Sequence, residues 1–152
     1  MSAAEHLTSS HKFVVGISIT DGAAAATDVE GAAVDTANYQ SIAMVVSFGP
    51  IVSGAATYIK AQMSADAAFS VPVDITGTKQ VVADTKSNEV FIIDGIRTDH
   101  ANYPYVRVHV DRATQNATCS CLYILYDART LPATQPATIN VEQFKDLTSG
   151  TA

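Results

Sequence analysis

The chain is poor in charge and in cysteine, and it holds neither a basic cluster nor a long apolar run. Charged residues make up 16% of its 152, where an ordinary globular domain carries about a quarter. Its surface must therefore be covered mostly by Ser, Thr, Asn, Gln and Ala, a composition suited to packing against neighbours. The nine lysines and arginines are scattered singly from Lys12 to Lys145, and the formal net charge is −6. With no cationic patch to neutralise phosphates, neither nucleic acid nor an anionic membrane is an expected partner. No window of about 18 apolar residues occurs, so no membrane-spanning helix is expected. The opening "MSAAEHLTSSHKFVVG" lacks the basic start and apolar run of a secretory signal, and a product made in a cytoplasm is expected. Two cysteines do not form a disulfide framework. Cys119 and Cys121 are i and i+2, which on a strand separates their Cα atoms by about 6.5–7 Å. That is at the limit for an unstrained bridge, so reduced thiols are expected.

Catalytic and cofactor-binding patterns are missing as well. There is no G-x-S-x-G, no phosphate loop ending in G-K-[ST], and no D-x-[DN]-x-[DN]-G calcium loop. Asp66, Asp74, Asp84, Glu89, Asp94, Asp99 and Asp111 offer many carboxylate pairs, and spacing selects none of them. No catalytic residue, no cofactor and no metal ligand is assigned from the sequence, and an enzyme is not expected.

What the sequence does contain is a succession of strands. "KFVVGISI" (12–19) is β-branched and apolar, with Gly16 as a candidate bulge. Residues 20–39, "TDGAAAATDVEGAAVDTANY", show no 3.6-residue stripe and read as a long loop with short extended pieces. "SIAMVVSF" (41–48) ends at the turn signal Gly49-Pro50. "ATYIKAQMSA" (56–65) alternates, with Tyr58, Lys60 and Gln62 on one side and Thr57, Ile59, Ala61 and Met63 on the other. "FSVPVDI" (69–75) also alternates, and Pro72 puts it at an edge or a bulge. "GTKQVVAD" (77–84) is short, and "NEVFIIDGI" (88–96) is continuously apolar, as expected of a strand covered on both faces. "YPYVRVHVD" (103–111) and "TCSCLYILYDA" (118–128) complete about eight strands. No amphipathic helix of ten residues separates them, which argues against parallel βαβ units. The expected fold is all-β: an antiparallel β-sandwich, jelly-roll-like or immunoglobulin-like, over residues 12–131. Residues 1–11 and 132–152 are expected to form extended N-terminal and C-terminal arms.

Residues 105–127 read as a hairpin. Val106, Val108 and Val110 form one face of its first strand, with Tyr105, Arg107, His109 and Asp111 on the other. In its second strand Cys119, Cys121, Tyr123 and Leu125 share a face. One register gathers His109, Asp111, Cys119 and Cys121 into a metal-capable cluster, and a shift of one residue sends the cysteines into the core. Free cysteine packs as a small hydrophobe, and C-x-C on a regular strand is a weak ligand signal, so core cysteines are the expectation. His6, His11 and His100 are read as surface histidines. Tyr103, Tyr105, Tyr123 and Tyr126 are read as cross-strand pairs or partner contacts, with a sugar platform as the alternative.

Three stretches together resemble a family of small tailed-bacteriophage virion proteins. Asp35, Thr36 and Tyr39 match the opening of its first strand. Gln62, Ser64, Asp66, Phe69 and Val73 match a strand and the turn that closes it. Tyr105, Val106, Arg107 and Val108 match a later "YvRv" strand, and Pro132 ends the pattern. The match spans residues 34–132. It departs in "SADAAF", where alanines replace a glycine-containing turn, and in a long N-terminal insertion. The resemblance implies a β-sandwich virion component, commonly a capsid cement or decoration protein, with no catalytic residues to carry over. It implies the major capsid protein as partner and a homo-oligomer, with a trimer expected, in the virion. The expected partner contacts are Leu7, Tyr103, Tyr105, Ile139, Val141, Phe144 and Leu147. Ordering an arm costs about 1–2 kcal/mol per residue, and burying each large apolar side chain offsets about 1.5–3 kcal/mol of that. Other readings are a head–tail connector, a tail or fibre-attachment module, and a carbohydrate-binding sandwich.

Overall fold

A computed structural model describes residues 6–112 and 116–141. In chain order the elements are α1 (Leu7–Ser10), β1 (Lys12–Ile17), β2 (Val29–Glu30), β3 (Val34–Asp35), β4 (Tyr39–Ile51), β5 (Ala56–Ser64), β6 (Val73–Asp74), β7 (Gln80–Ala83), β8 (Val90–Arg97), β9 (Tyr105–Asp111) and β10 (Ala117–Ala128). The strands form two antiparallel sheets. One has four strands in the order β1-β10-β4-β8. The other has six, with β2-β9-β5-β6 as its main path, β3 also pairing β9 and β7 also pairing β5. The all-β sandwich expected from the alternating segments is the fold observed.

Alternation decides which side chains enter the core. Ile42, Met44, Val46 and Phe48 of β4 and Cys119, Cys121, Tyr123 and Leu125 of β10 line the inner face of the four-stranded sheet. Ile59 and Ala61 of β5 with Val106, Val108 and Val110 of β9 line the facing sheet. Gly16 sits where the β1–β10 register shifts between Val15 and Ile17, at the expected bulge. Loop 20–39 carries two two-residue strands, as its short extended pieces suggested.

Four expectations are corrected. Residues 105–127 are not a hairpin: β9 pairs with β5, β2 and β3, whereas β10 pairs with β1 and β4 in the opposite sheet. Alternation identifies the buried face of a strand but not its partner, and here the two buried faces meet across the core. Of residues 69–75 only Val73–Asp74 is strand, because Asp66 folds the preceding residues into a turn by accepting from both the backbone N–H and the hydroxyl of Ser70. Strand β8 is covered on one face only: Ile93 and Ile96 are buried in the core, whereas Val90 and Ile92 are 56% and 54% exposed. Residues 6–11 are not an extended arm, since Leu7–Ser10 is a helical turn. It docks on the C-terminal segment, where Ala133 N–H donates to Ser9 O and the Gln135 side-chain amide donates to Thr8 O and His11 O.

Two polar devices join the layers. Tyr123 crosses the core from β10, accepting from Val108 N–H at 3.0 Å and donating to Ala32 O at 3.0 Å. It fills a gap in the ladder: Gly31 N–H still donates to Val108 O, but beyond Glu30 the β2 strand diverges from β9. Gly31 is needed there, because a Cβ at that position lies within 2.3 Å of the tyrosine oxygen. Arg112, 2% exposed, donates from Nε to Thr27 O and from its terminal nitrogen to Gly22, Ala23 and Ala117 O. This buried cation pins residues 22–27 to the start of β10.

Candidate functional site

The two outer faces of the sandwich have opposite chemistry. Residues directly opposite one another in a sheet lie on the same face. Val15 pairs Leu122, Leu122 pairs Val45 and Val45 pairs Ile92. One continuous apolar row therefore crosses all four strands on the side away from the core. A second row runs Phe13–Ile124–Ala43. Between β1, β10 and β4 the face dips into an open hollow of about 470 Å³ lined by Val15, Ile17, Ile19, Val45 and Leu122, with Ser18, Ser47 and Ser120 beside them. The rim residue Ile19 is 81% exposed. Helix α1 closes one end, where Leu7 borders Ala43, Ile124 and Tyr126.

Among the described residues, charge stands on this face at that end, with Asp94 beside Tyr126 and Arg97 paired with Ser41, which itself pairs Tyr126. Tyr126 donates its hydroxyl to Asp94 at 2.8 Å and stacks on His11 with ring centroids 6.0 Å apart. Its phenol is held above the usual range, by burial first and then by the Asp94 carboxylate. Apolar side chains on the solvent side of a sheet ordinarily mark an interaction surface, since an antiparallel sheet with one wet face alternates apolar with polar.

The six-stranded sheet is polar outside. Gln62 accepts from Arg107 Nε at 3.0 Å and donates to Asp74 Oδ1 at 2.9 Å. Lys60 meets Asp74 Oδ2 at 2.7 Å, which lowers the Asp74 carboxyl and raises the Lys60 ammonium. The Arg107 guanidinium also contacts Glu30 Oε2 at 2.9 Å and lies over the Phe69 ring, 4.3 Å from its centroid. The residues that carry the family resemblance thus have structural roles. Gln62, Phe69 and Arg107 interlock, Ser64 pairs with Tyr105, and the Thr36 hydroxyl donates to Pro104 O.

No protein-family model matches the chain, and no curated protein matches it. Among solved structures it is similar to the crystal structure of the SPBc2 prophage-derived protein YomS, with 13% identity and a TM-score of 0.44. The similarity covers 77% of this chain and 93% of that one.

The expected partner contacts fall in different places. Leu7, 59% exposed, stands at the edge of the apolar face. Tyr105 stands on the opposite, polar sheet, and Tyr103 precedes it, bridged to Asp99; both are partly covered. Ile139 is half-buried and Val141 exposed on the C-terminal segment, while Phe144 and Leu147 lie outside the described residues. The cysteines are core residues, as expected. Burial pushes the Cys121 thiol up to about 12 and raises that of Cys119, an effect the Arg112 charge partly opposes. They are therefore separated from His109 and Asp111, which belong to the outer face of the other sheet. Sequence reasoning missed the Val15–Leu122–Val45–Ile92 row because it joins one residue from each of four strands far apart in the chain. The signal present was the unbroken apolar run in "NEVFIIDGI" and in "SIAMVVSF".

Proposed function

We propose that this chain is a non-enzymatic structural protein of a tailed-bacteriophage virion, which binds the outer capsid surface and stabilises it. The observation that carries the reading is the apolar row across the four-stranded sheet, left uncovered where β8 forms the edge. A rigid sheet presents half-exposed Val15, Leu122 and Val45 and more exposed Ile92 with little ordering cost, and few charges there need desolvation. The resemblance over residues 34–132 supplies the class of protein and its partner, the major capsid protein. Leu7 and the segment carrying Ile139 and Val141 extend the contact, and a homo-oligomer, a trimer at a junction of capsid subunits, is the assembly proposed.

The test uses heads prepared without this protein. Adding it back is expected to raise the temperature at which the genome is released, with copies per particle in the hundreds. Val90→Lys with Ile92→Lys removes two side chains about half exposed, each contributing about 1 kcal/mol on burial, so binding weakens about 30-fold while the melting temperature of the free protein holds. Heads that lose their genome at the same temperature with and without the protein refute the cementing role. A dozen copies or fewer per particle would move it to the connector.

A further inference from the structure

A second constellation lies on the polar sheet, away from the apolar face. Asp28, His109 and Asp111 each place one donor atom within 4.8 Å of the others. The geometry points to a divalent-cation site here, taking a first-row transition ion such as zinc through one imidazole nitrogen and two carboxylate oxygens.

The strand register creates the site. Val29 pairs Val110 and Glu30 pairs His109, so Asp28, one residue before β2, continues this register opposite Asp111. Two i, i+2 pairs, Asp28/Glu30 and His109/Asp111, are thereby laid side by side on one face. Each donor is held from behind. Glu30 Oε1 lies 2.8 Å from His109 Nδ1, and Glu30 is itself bound by Arg107. A carboxylate on one ring nitrogen orients the imidazole and leaves the other nitrogen to act as a ligand, the usual support of a metal-bound histidine. That other nitrogen, Nε2, faces Asp28 Oδ2 at 3.9 Å, on a side chain only 10% exposed. The gap is too long for a hydrogen bond. It matches the roughly 3–4 Å between two donors that share an ion at bonds of about 2.0–2.2 Å. Asp28 Oδ1 accepts the Arg112 N–H at 3.1 Å, which leaves Oδ2 to face the histidine. Asp111 is in hydrogen-bond contact with Tyr58, whose ring lies 6.0 Å from that of His109.

Nearby cations are already engaged. Arg107 is on Glu30, Lys60 on Asp74, and Lys79 over the Tyr58 ring at 4.0 Å. The Asp28 side chain, 41% exposed, gives an ion its entry and closes the remaining distance. Nitrogen and oxygen donors without thiolate suit zinc, cobalt or manganese. Bound there, the ion ties the end of loop 20–28 to β9, and its remaining positions face solvent and take water.

The experiment is calorimetric titration of Zn2+ into tag-free, chelator-treated full chain, with Co2+ absorption as the second readout. One ion per chain is expected, with a Co2+ spectrum free of thiolate charge transfer and a higher melting temperature in zinc. Asp28→Asn keeps the carbonyl that accepts from Arg112 and is expected to weaken binding at least tenfold without unfolding the protein, as is Asp111→Asn. Glu30→Gln is expected to weaken it by about 10–100-fold through loss of orientation. Removing the imidazoles remote from the site by His6→Ala and His11→Ala is expected to leave zinc affinity and stoichiometry unchanged. No saturable binding, binding undiminished in Asp28→Asn and Asp111→Asn, or binding abolished with His6 and His11 would each overturn the site.

Discussion

Replacing Tyr123 with Phe removes one oxygen from the core and tests how the two sheets are joined. Tyr123 is 0% exposed, and its hydroxyl serves Val108 N–H and Ala32 O. The two partners differ in what they can recover. Ala32 is exposed, so its carbonyl turns to water at little cost. Val108 is 0% exposed, and its N–H has no ladder partner where β2 leaves β9, so it is left unsatisfied. An orphaned buried donor costs about 1–3 kcal/mol, and the phenylalanine ring keeps the packing, so Tyr123→Phe should cost about 2 kcal/mol. For a chain of this size that is a fall of about 4–8 °C in melting temperature, with the urea m value unchanged. The same structure predicts a coupling. A Cβ at Gly31 meets the tyrosine oxygen at 2.3 Å, so Gly31→Ala should be severe in the native background. It should be milder once the oxygen is gone, although Val108 Cγ1 at 2.7 Å still crowds it. Urea unfolding of the four proteins in the cycle measures this. A Tyr123→Phe loss below about 0.5 kcal/mol, or strict additivity with Gly31→Ala, would refute the claim that this hydroxyl replaces a missing strand carbonyl.

Other consequences are equally direct. Arg112→Met strips the carbonyls of Gly22, Ala23, Thr27 and Ala117 of a charged donor; the expected loss is about 3 kcal/mol, with faster hydrogen exchange over residues 22–28 and no change in β4. The Cys121 thiol, 9.0 when unfolded, is raised to about 12 in the fold. A raised thiol keeps its full contribution below the unfolded value and loses it as pH climbs toward the folded one, so stability should fall above pH 9.0. From Cys121 alone the loss is about 1.4 kcal/mol by pH 10. Urea unfolding of the native chain and Cys121→Ala should therefore converge between pH 8 and pH 10, and parallel profiles would contradict the assignment. Lys60 and Asp74 form a half-exposed pair. Since the Asp74 carboxyl is depressed, the pair contributes only above the usual carboxylate range and is lost as pH falls through the lowered value. Asp74→Asn should cost no more than about 1 kcal/mol at neutral pH in a thermal melt.

By itself the sequence determined the class of fold and the inner faces of most strands. A two-residue period forces Val106, Val108 and Val110 to one side, and Cys119, Cys121, Tyr123 and Leu125 likewise, whatever those strands pair with. Gly16 marked its bulge for a similarly local reason. Only the tertiary structure decided which strands are neighbours, because pairing depends on contacts between distant segments and on where loops release the chain. That sent β9 and β10 to opposite sheets, left one face of β8 uncovered, and aligned Val15, Leu122, Val45 and Ile92 into a single row. It also brought Asp28 beside His109 and Asp111, and put Arg112 in a buried ring of carbonyls. Such groupings have no signature along the chain, since their members share a face only after the register is set.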